Sequence, residues 1–343
     1  MSDSPRHVYI TGAGFTRAFV PDAPLLVDDF DNNLLVRKVS GLPKASELLE
    51  AERNRHHEGF IDIERLMTRL DDLMPYDYAD ATADEFAFLL TELKRAFLDR
   101  LTRARKTDYS AQDLRAFAHH CSVVRATCIT FNYDDFLDQA LSDVGSWNPY
   151  WGYGFYCREA EDTVFSNAGE SAQETDHLLL KLHGSVNWWP RLGYPKPYAL
   201  DAIVNYQAWE GTAGRLYPQQ LIARHLEPDP VIIPPVLSKS ALVTQPILRL
   251  VWTLAFDALA TAEAVTFVGY SLPATDMAAR VLFSEALRDL PTSNITVVGL
   301  ETTEAGKREL KASYRAVLGN VPDDAFFFDG ALPWARSLLA DNP

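Results

Sequence analysis

Short apolar runs rich in β-branched residues alternate along this chain with stretches of helical periodicity, and that alternation restricts the fold more than any other feature. HVYIT (7–11), VVRATCITF (123–131), HLLLKL (177–182), VIIPP (231–235), AVTFVGY (264–270) and NITVVGL (294–300) read as strands, and AFFFDG closes the set. Between or after them come the helical stretches DDFLDQAL, LRLVWTLAFDALA, DMAARVLFSEAL and AGKRELKASYRAVL, with a terminal helix behind the last strand. A chain that alternates in this way returns each strand to the same end of the sheet. The expected fold is therefore α/β, a Rossmann-like parallel sheet with helices on both faces.

Two segments interrupt the alternation. Residues of about 43–118 read as a helical insertion, and within it Phe86, Leu89, Leu90, Leu93, Phe97 and Leu101 recur at helical spacing. Residues of about 145–225, rich in Tyr, Trp and Gly, read as a less regular insertion. With no internal repeat, low-complexity tract or clear linker, residues 1–343 are expected to form one domain carrying both insertions.

Charge and cysteine usage exclude several classes of function. Lys and Arg number 32 against 47 Asp and Glu, a net charge of −15 that repels phosphate backbones and anionic lipid at long range. No direct nucleic-acid or membrane partner is expected. No segment approaches the ~20 consecutive apolar residues of a membrane span, and MSDSPRHVYITG enters the first strand without a basic leader, which points to the cytoplasm. The three cysteines, Cys121, Cys128 and Cys157, lack the paired spacing of a zinc site or a disulfide framework, so no metal is expected.

In an open parallel sheet, ligands bind beyond the carboxyl ends of the strands. The exits here are polar and marked by glycine. After the first strand comes Gly12-Ala13-Gly14 with Thr16, a tight turn over which backbone can approach a diphosphate. The dinucleotide fingerprint would need a third glycine where this chain has Arg17, and LLVDD (25–29) follows too soon to be a second strand. The second exit carries Asn132 and Asp134, and the third His183-Gly184-Ser185. A fourth carries Gly269 and Ser271, with Ser271 or Thr275 able to cap the next helix, and a fifth carries Glu301. Each has an ordinary structural use as a cap or turn.

Taken in order, GAGFT (12–16), TFNYD (130–134), HG (183–184) and GYS (269–271) resemble the motifs of the sirtuin family, GAGxS, TQNxD, HG and GTS. The resemblance is strongest to bacterial sirtuin-like NAD-hydrolysing effectors of antiphage defence, with KLHGSVNWW, IIPP and GYSLPATD most like that branch. It implies a sirtuin-like fold with NAD as the substrate. It places Gly12, Ala13, Gly14 and Thr16 around the diphosphate, Asn132 and Asp134 at the nicotinamide ribose and carboxamide, and His183 as the base. Gly269 and Ser271 would contact the adenosine half, with Glu301 on a ribose. Phe131 stands where the family has glutamine, Thr16 where it has serine, and the four-cysteine zinc module that supports deacylation is absent from the sequence.

The residue types suit the chemistry by themselves. Nicotinamide leaves NAD as a neutral base without help from an acid, through an oxocarbenium-like transition state. The protein has to supply a dry pocket, a polar group to orient the base and a group to activate water, and Asn132, Asp134 and His183 meet that need without a metal. The expected activity is cleavage of NAD to nicotinamide and ADP-ribose. NAD-dependent deacylation, ADP-ribosyl transfer and non-catalytic sensing of NAD or ADP-ribose are the alternatives. An NADase needs restraint, so a homo-oligomer or a separate partner protein is expected, with the amphipathic 84–105 helix as the contact surface.

Overall fold

The computed structural model describes residues 6–23, 37, 39–55, 66–67, 69–70, 80–104, 110–145, 147–155, 158–159, 177–190, 200–202, 231–233 and 246–340. Its strands are β1 (His7–Thr11), β2 (Thr127–Thr130), β3 (Arg158–Glu159), β4 (Leu179–Lys181), β5 (Trp188–Pro190), β6 (Leu200–Ala202), β7 (Ala264–Val268), β8 (Ile295–Val298) and β9 (Phe326–Phe327). The α-helices are α1 (Ala13–Phe19), α2 (Pro43–Arg55), α3 (Asp80–Ala104), α4 (Ala111–Val123), α5 (Phe136–Asp143), α6 (Pro149–Gly152), α7 (Pro246–Ala260), α8 (Met277–Ala286), α9 (Glu304–Leu318) and α10 (Ala331–Ala340).

Six strands form one sheet in the order β4-β2-β1-β7-β8-β9, and every neighbouring pair is parallel. Counted along the chain, that is third, second, first, fourth, fifth, sixth: the doubly wound order, in which the direction of winding reverses between β1 and β7. The central strand β1 is apolar on both faces, with Val8, Tyr9 and Ile10 all buried. Such continuity is what a strand covered on both sides requires. Helices α1, α4, α5 and α10 pack with one another, as do α7, α8 and α9, giving the two helical layers. The expected α/β architecture is the observed one.

Several boundaries differ from the sequence reading. The run 123–131 gives a strand only at Thr127–Thr130, because α4 continues to Val123 and the chain then turns through Arg125 in the left-handed region, φ 52°. VIIPP is not a strand of the sheet at its described positions 231–233: Ile232 makes a single antiparallel bridge to Gly184. LLVDD (25–29) lies outside the described residues. Within the irregular segment, β3, β6 and β5 form a separate small sheet.

Leu49 of α2 and Phe86, Leu89 and Leu93 of α3 build a separate core together with Leu66, Met67 and Leu70 from the chain between the two helices. Helix α4, the end of the helical stretch in sequence, instead puts Leu114, Phe117 and Cys121 into the main core. The apolar stripe of α3 is thus consumed by internal packing at Phe86, Leu89 and Leu93, and that part of it is not an open contact face. At its far end Leu101 packs with Tyr133, Val186 and Ile232. The helical block therefore rests against the loops that follow β2 and β4.

Candidate active site

The exits of β1 and β7 meet backbone to backbone at the point where the winding reverses. Gly12 N donates to Val268 O (3.2 Å) and Gly14 N to Gly269 O (2.9 Å). A Cβ on Gly12 would lie 2.7 Å from Gly269 O, and one on Gly269 would lie 2.1 Å from Phe15 N. Gly269 also holds φ +63°. Glycine is required here because two main chains touch. The amides of Gly12, Gly14 and Phe15 are taken by Val268, Gly269 and Gly12 carbonyls, so these three are not aimed at a diphosphate. Ala13 and Gly14 remain exposed at the rim, as does Ser271.

The β2 exit is tied to this junction by buried side chains. Asn132 Nδ2 donates to Gly12 O (2.8 Å) and to Thr16 Oγ1 (2.9 Å), and Thr16 Oγ1 donates to Asp134 Oδ2 (2.8 Å). Because Gly12 O can only accept, the amide orientation is fixed by the network. Both amide protons are committed, which leaves Oδ1 as the group Asn132 can offer a ligand. Asp134 Oδ1 accepts from Phe136 N at the start of α5 (3.3 Å). Burial raises the Asp134 carboxyl above its ordinary value, against the opposing pull of the Lys181 ammonium and the Thr16 hydrogen bond.

Below this group lies a charge pair that the sequence reading did not find. Lys181 of β4 is fully buried and places Nζ 2.9 Å from Asp138 Oδ2 of α5, while also donating to Asp134 O. Asp138 accepts from the Tyr153 hydroxyl, which itself accepts from Asn187 Nδ2 (3.1 Å), and Ser185 Oγ donates to Asn187 Oδ1. A lysine inside an apolar strand is tolerable only with such a partner. The chain of bonds links the β2 exit to the His183-Gly184-Ser185 turn.

That turn is held from two sides. Ser185 N donates to Val231 O (2.8 Å), Ile233 N to His183 O (2.8 Å) and Val186 N to Tyr133 O (2.9 Å). Gly184 adopts φ +78°, and a Cβ there would lie 2.1 Å from Val231 O. The glycine after His183 is set by this close approach. The His183 ring is buried, edge-on to Phe131 (centroids 5.2 Å) and tilted against Tyr133 (5.9 Å). Phe131 stacks in turn on Tyr270, 4.4 Å away at 9°. His183 Nε2 stands 3.7 Å from Asp276 Oδ2, and Asp276 is a second residue the sequence reading passed over.

Asp276, rather than Ser271 or Thr275, caps α8 by accepting from Ala279 N. Glu301 is not drawn into the group. Its amide donates to Phe328 O and its carboxylate lies over the first turn of α9 at Gly306. Among the described residues, no hydrogen bond or ion pair joins Glu301 or the Ser271 side chain to Asn132, Asp134 or His183. Also among the described residues, no three His, Cys, Asp or Glu side chains gather to hold a metal, and no helix is long and apolar enough to cross a membrane.

Residues 126–210 match the SIR2-like domain family. That span contains Asn132, Asp134, Asp138, Lys181 and His183, and lies between the glycine junction's two halves. Among solved structures, the chain is similar to one that describes the mechanism and regulation of Sir2 enzymes, at 12% identity and TM-score 0.45, covering 99% of this chain and 92% of that one. It is similar to a Sir2 homologue in complex with NAD at 13% identity and TM-score 0.46, covering 98% and 91%. A Sir2 structure with a p53 peptide and NAD+ stands at 11% identity and TM-score 0.42, covering 99% and 94%. No curated protein matches in sequence. The matched segment, 126–210, supplies β2 and β4 of the doubly wound parallel sheet.

Proposed function

We propose that this protein is an NAD glycohydrolase, cleaving NAD to nicotinamide and ADP-ribose. The observation that carries the reading is the bonded set Asn132–Thr16–Asp134 at the β1–β2 exits, with His183 at the neighbouring exit, all within a doubly wound sheet. Doubly wound sheets bind nucleotides at this crevice. The SIR2-like match over the segment that holds Asn132, Asp134 and His183 supports NAD as the nucleotide.

The residues present fit such a substrate. Ala13, Gly14 and Ser271 form a small, exposed rim, while Asn132, Asp134 and His183 are buried polar groups behind it. In hydrolysis the glycosidic bond breaks with its electron pair on nicotinamide, and water oxygen bonds to the ribose carbon. His183 takes the proton that water loses. Asn132 offers its amide oxygen to a hydroxyl or the carboxamide, and Asp134 its carboxylate edge. Phe131 and Tyr133 wall the His183 ring with aromatic surface, Tyr270 stacks on Phe131, and together they limit stray water.

The biological setting we infer is NAD depletion by a toxic effector of bacterial antiphage defence, acting in the cytoplasm. Restraint would come from self-assembly or a partner protein. The reading needs no metal and no acceptor. The test is incubation of the purified chain with NAD, with and without an acylated peptide or nucleic acid, and chromatography of the products. Nicotinamide and ADP-ribose released in equal amounts without acceptor are expected. Consumption only with acceptor would instead mark a deacylase or transferase, and intact NAD a sensor.

A further inference from the structure

We propose that Thr16 is a positioning residue and not a ligand of the diphosphate: its hydroxyl fixes the plane of the Asn132 amide and holds the Asp134 carboxylate, and so commits the one proton a phosphate oxygen would need. The proposal rests on the reading of Asn132 and Asp134 as groups that meet NAD.

A threonine inside a helix ordinarily donates its hydroxyl proton to the carbonyl four residues back, which for Thr16 of α1 is Gly12 O. Here that carbonyl accepts from Asn132 Nδ2 instead, at 2.8 Å. The Thr16 proton is turned to Asp134 Oδ2 (2.8 Å), and the same hydroxyl oxygen accepts the second Asn132 proton (2.9 Å). A hydroxyl has a single proton to give. Phosphate oxygens act as acceptors, so a diphosphate beside Thr16 would find no donor there. Thr16 is also buried, while Ala13 and Gly14 of the same turn are exposed.

Two anchors fix an amide where one would let it turn. Gly12 is clamped to β7, since its amide donates to Val268 O (3.2 Å) and a Cβ on it would lie 2.7 Å from Gly269 O, so its carbonyl is a fixed acceptor. Thr16 supplies the second acceptor, one helical turn further on. The backbone of Asn132 is held as well, its amide donating to Thr130 Oγ1 (3.1 Å). With both side-chain protons engaged, Nδ2 and Oδ1 cannot exchange places. Asp134 is held on both oxygens, Oδ2 by Thr16 and Oδ1 by Phe136 N (3.3 Å). The charged groups that bear on it are the Lys181 ammonium from β4 and Asp138 from α5. The direction of the Thr16 bond is that of an ionised carboxylate. A proton on Oδ2 would reverse the bond and release the Thr16 hydroxyl.

The discriminating variant is Thr16→Val, which keeps the shape and removes the hydroxyl, with Thr16→Ser to restore it. NMR of the full chain labelled at asparagine, with Asn132 assigned from Asn132→Ala, should show both Nδ2 protons hydrogen-bonded in the parent. In Thr16→Val one of the two resonances should move upfield while the other, on Gly12 O, stays, and Thr16→Ser should bring the first back. ADP, which carries a diphosphate without the nicotinamide ribose, should bind the parent and Thr16→Val with affinities within about twofold; a lost bond to phosphate would weaken it about tenfold or more. NAD turnover should fall about 10–100-fold in kcat at similar KM in Thr16→Val and recover in Thr16→Ser. If Thr16→Val does not fold, the parent decides: its Thr16 hydroxyl proton, assigned from Thr16→Ser, should exchange slowly and persist when ADP is added. A tenfold loss of ADP affinity, unmoved Asn132 resonances in Thr16→Val, or a Thr16 hydroxyl proton that is freely exchanging or lost on adding ADP would overturn the proposal. Asn132 resonances that behave as described in a parent that leaves NAD intact would uphold the positioning role and remove the NAD reading instead.

Discussion

The exits of β1 and β8 both carry glycine and a polar residue, yet they are built differently. At β1 the glycines touch the backbone of β7, and Asn132 and Asp134 reach in from β2 across more than a hundred residues of sequence to bond Gly12 and Thr16. At β8 the backbone pairs with the β9 exit, Glu301 N donating to Phe328 O, while the side chains stay local: Glu301 leans on α9, which Thr303 caps by accepting from Gly306 N, and Leu300 stands exposed. One exit joins separate strands through buried polar groups, and the other finishes a strand and starts a helix. Only the first arrangement gathers functional groups from distant parts of the chain.

The sharpest way to break the β1–β2–β4 side is beneath it. Lys181→Met would leave Asp138 buried without its cation, and should cost about 3–5 kcal/mol by denaturant titration. A loss under 1 kcal/mol would mean that Asp138 finds another partner. Next, Gly269→Ala puts a Cβ against Phe15 N at positive φ and should cost on the order of 3 kcal/mol. Gly299→Ala, at the β8 exit, meets only the flexible end of Leu310 and should cost about 1 kcal/mol or less. Equal losses in the two variants would erase the contrast between the exits.

Asp134 provides a pH signature. A carboxyl raised by burial contributes fully to stability below its unfolded value of ~3.9, and that contribution is lost as the pH rises through its higher folded value. Asp134→Asn is neutral throughout, so its stability relative to the parent should improve from acid to neutral pH. A difference that stays flat from pH 3 to pH 7 would show that Asp134 is not raised. The smallest effect belongs to Glu301→Ala, expected within about 0.5 kcal/mol of the parent in stability. NAD turnover should be unchanged. A tenfold loss of turnover would return Glu301 to the site.

Much of the sheet is legible in the sequence because buried parallel strands are apolar on both faces; HVYIT and AVTFV stand out for that reason. VIIPP carries the same signature and yet its described residues, 231–233, form a single bridge, since apolarity reports burial and not pairing. Asn132 and Asp134 are visible as more polar groups than a cap needs, but their bonds to Thr16 depend on which strands become neighbours. Lys181 is hidden because lysine ordinarily signals solvent. The leucines around it in LLLKL are the clue that it must be buried and paired. Asp276 lies within GYSLPATD and is masked by two alternative caps, Ser271 and Thr275. Its nearness to His183 appears only when β4 brings that residue to the same crevice.

The central claim is that residues from separate strand exits act as one NAD-cleaving site, and the most direct test compares NAD turnover in the parent, His183→Ala and Asn132→Ala, each verified as folded by circular dichroism. The account predicts nicotinamide release by the parent and a loss of about 10²–10⁴-fold in His183→Ala, with a comparable loss in Asn132→Ala. Parental turnover in either folded variant would contradict it.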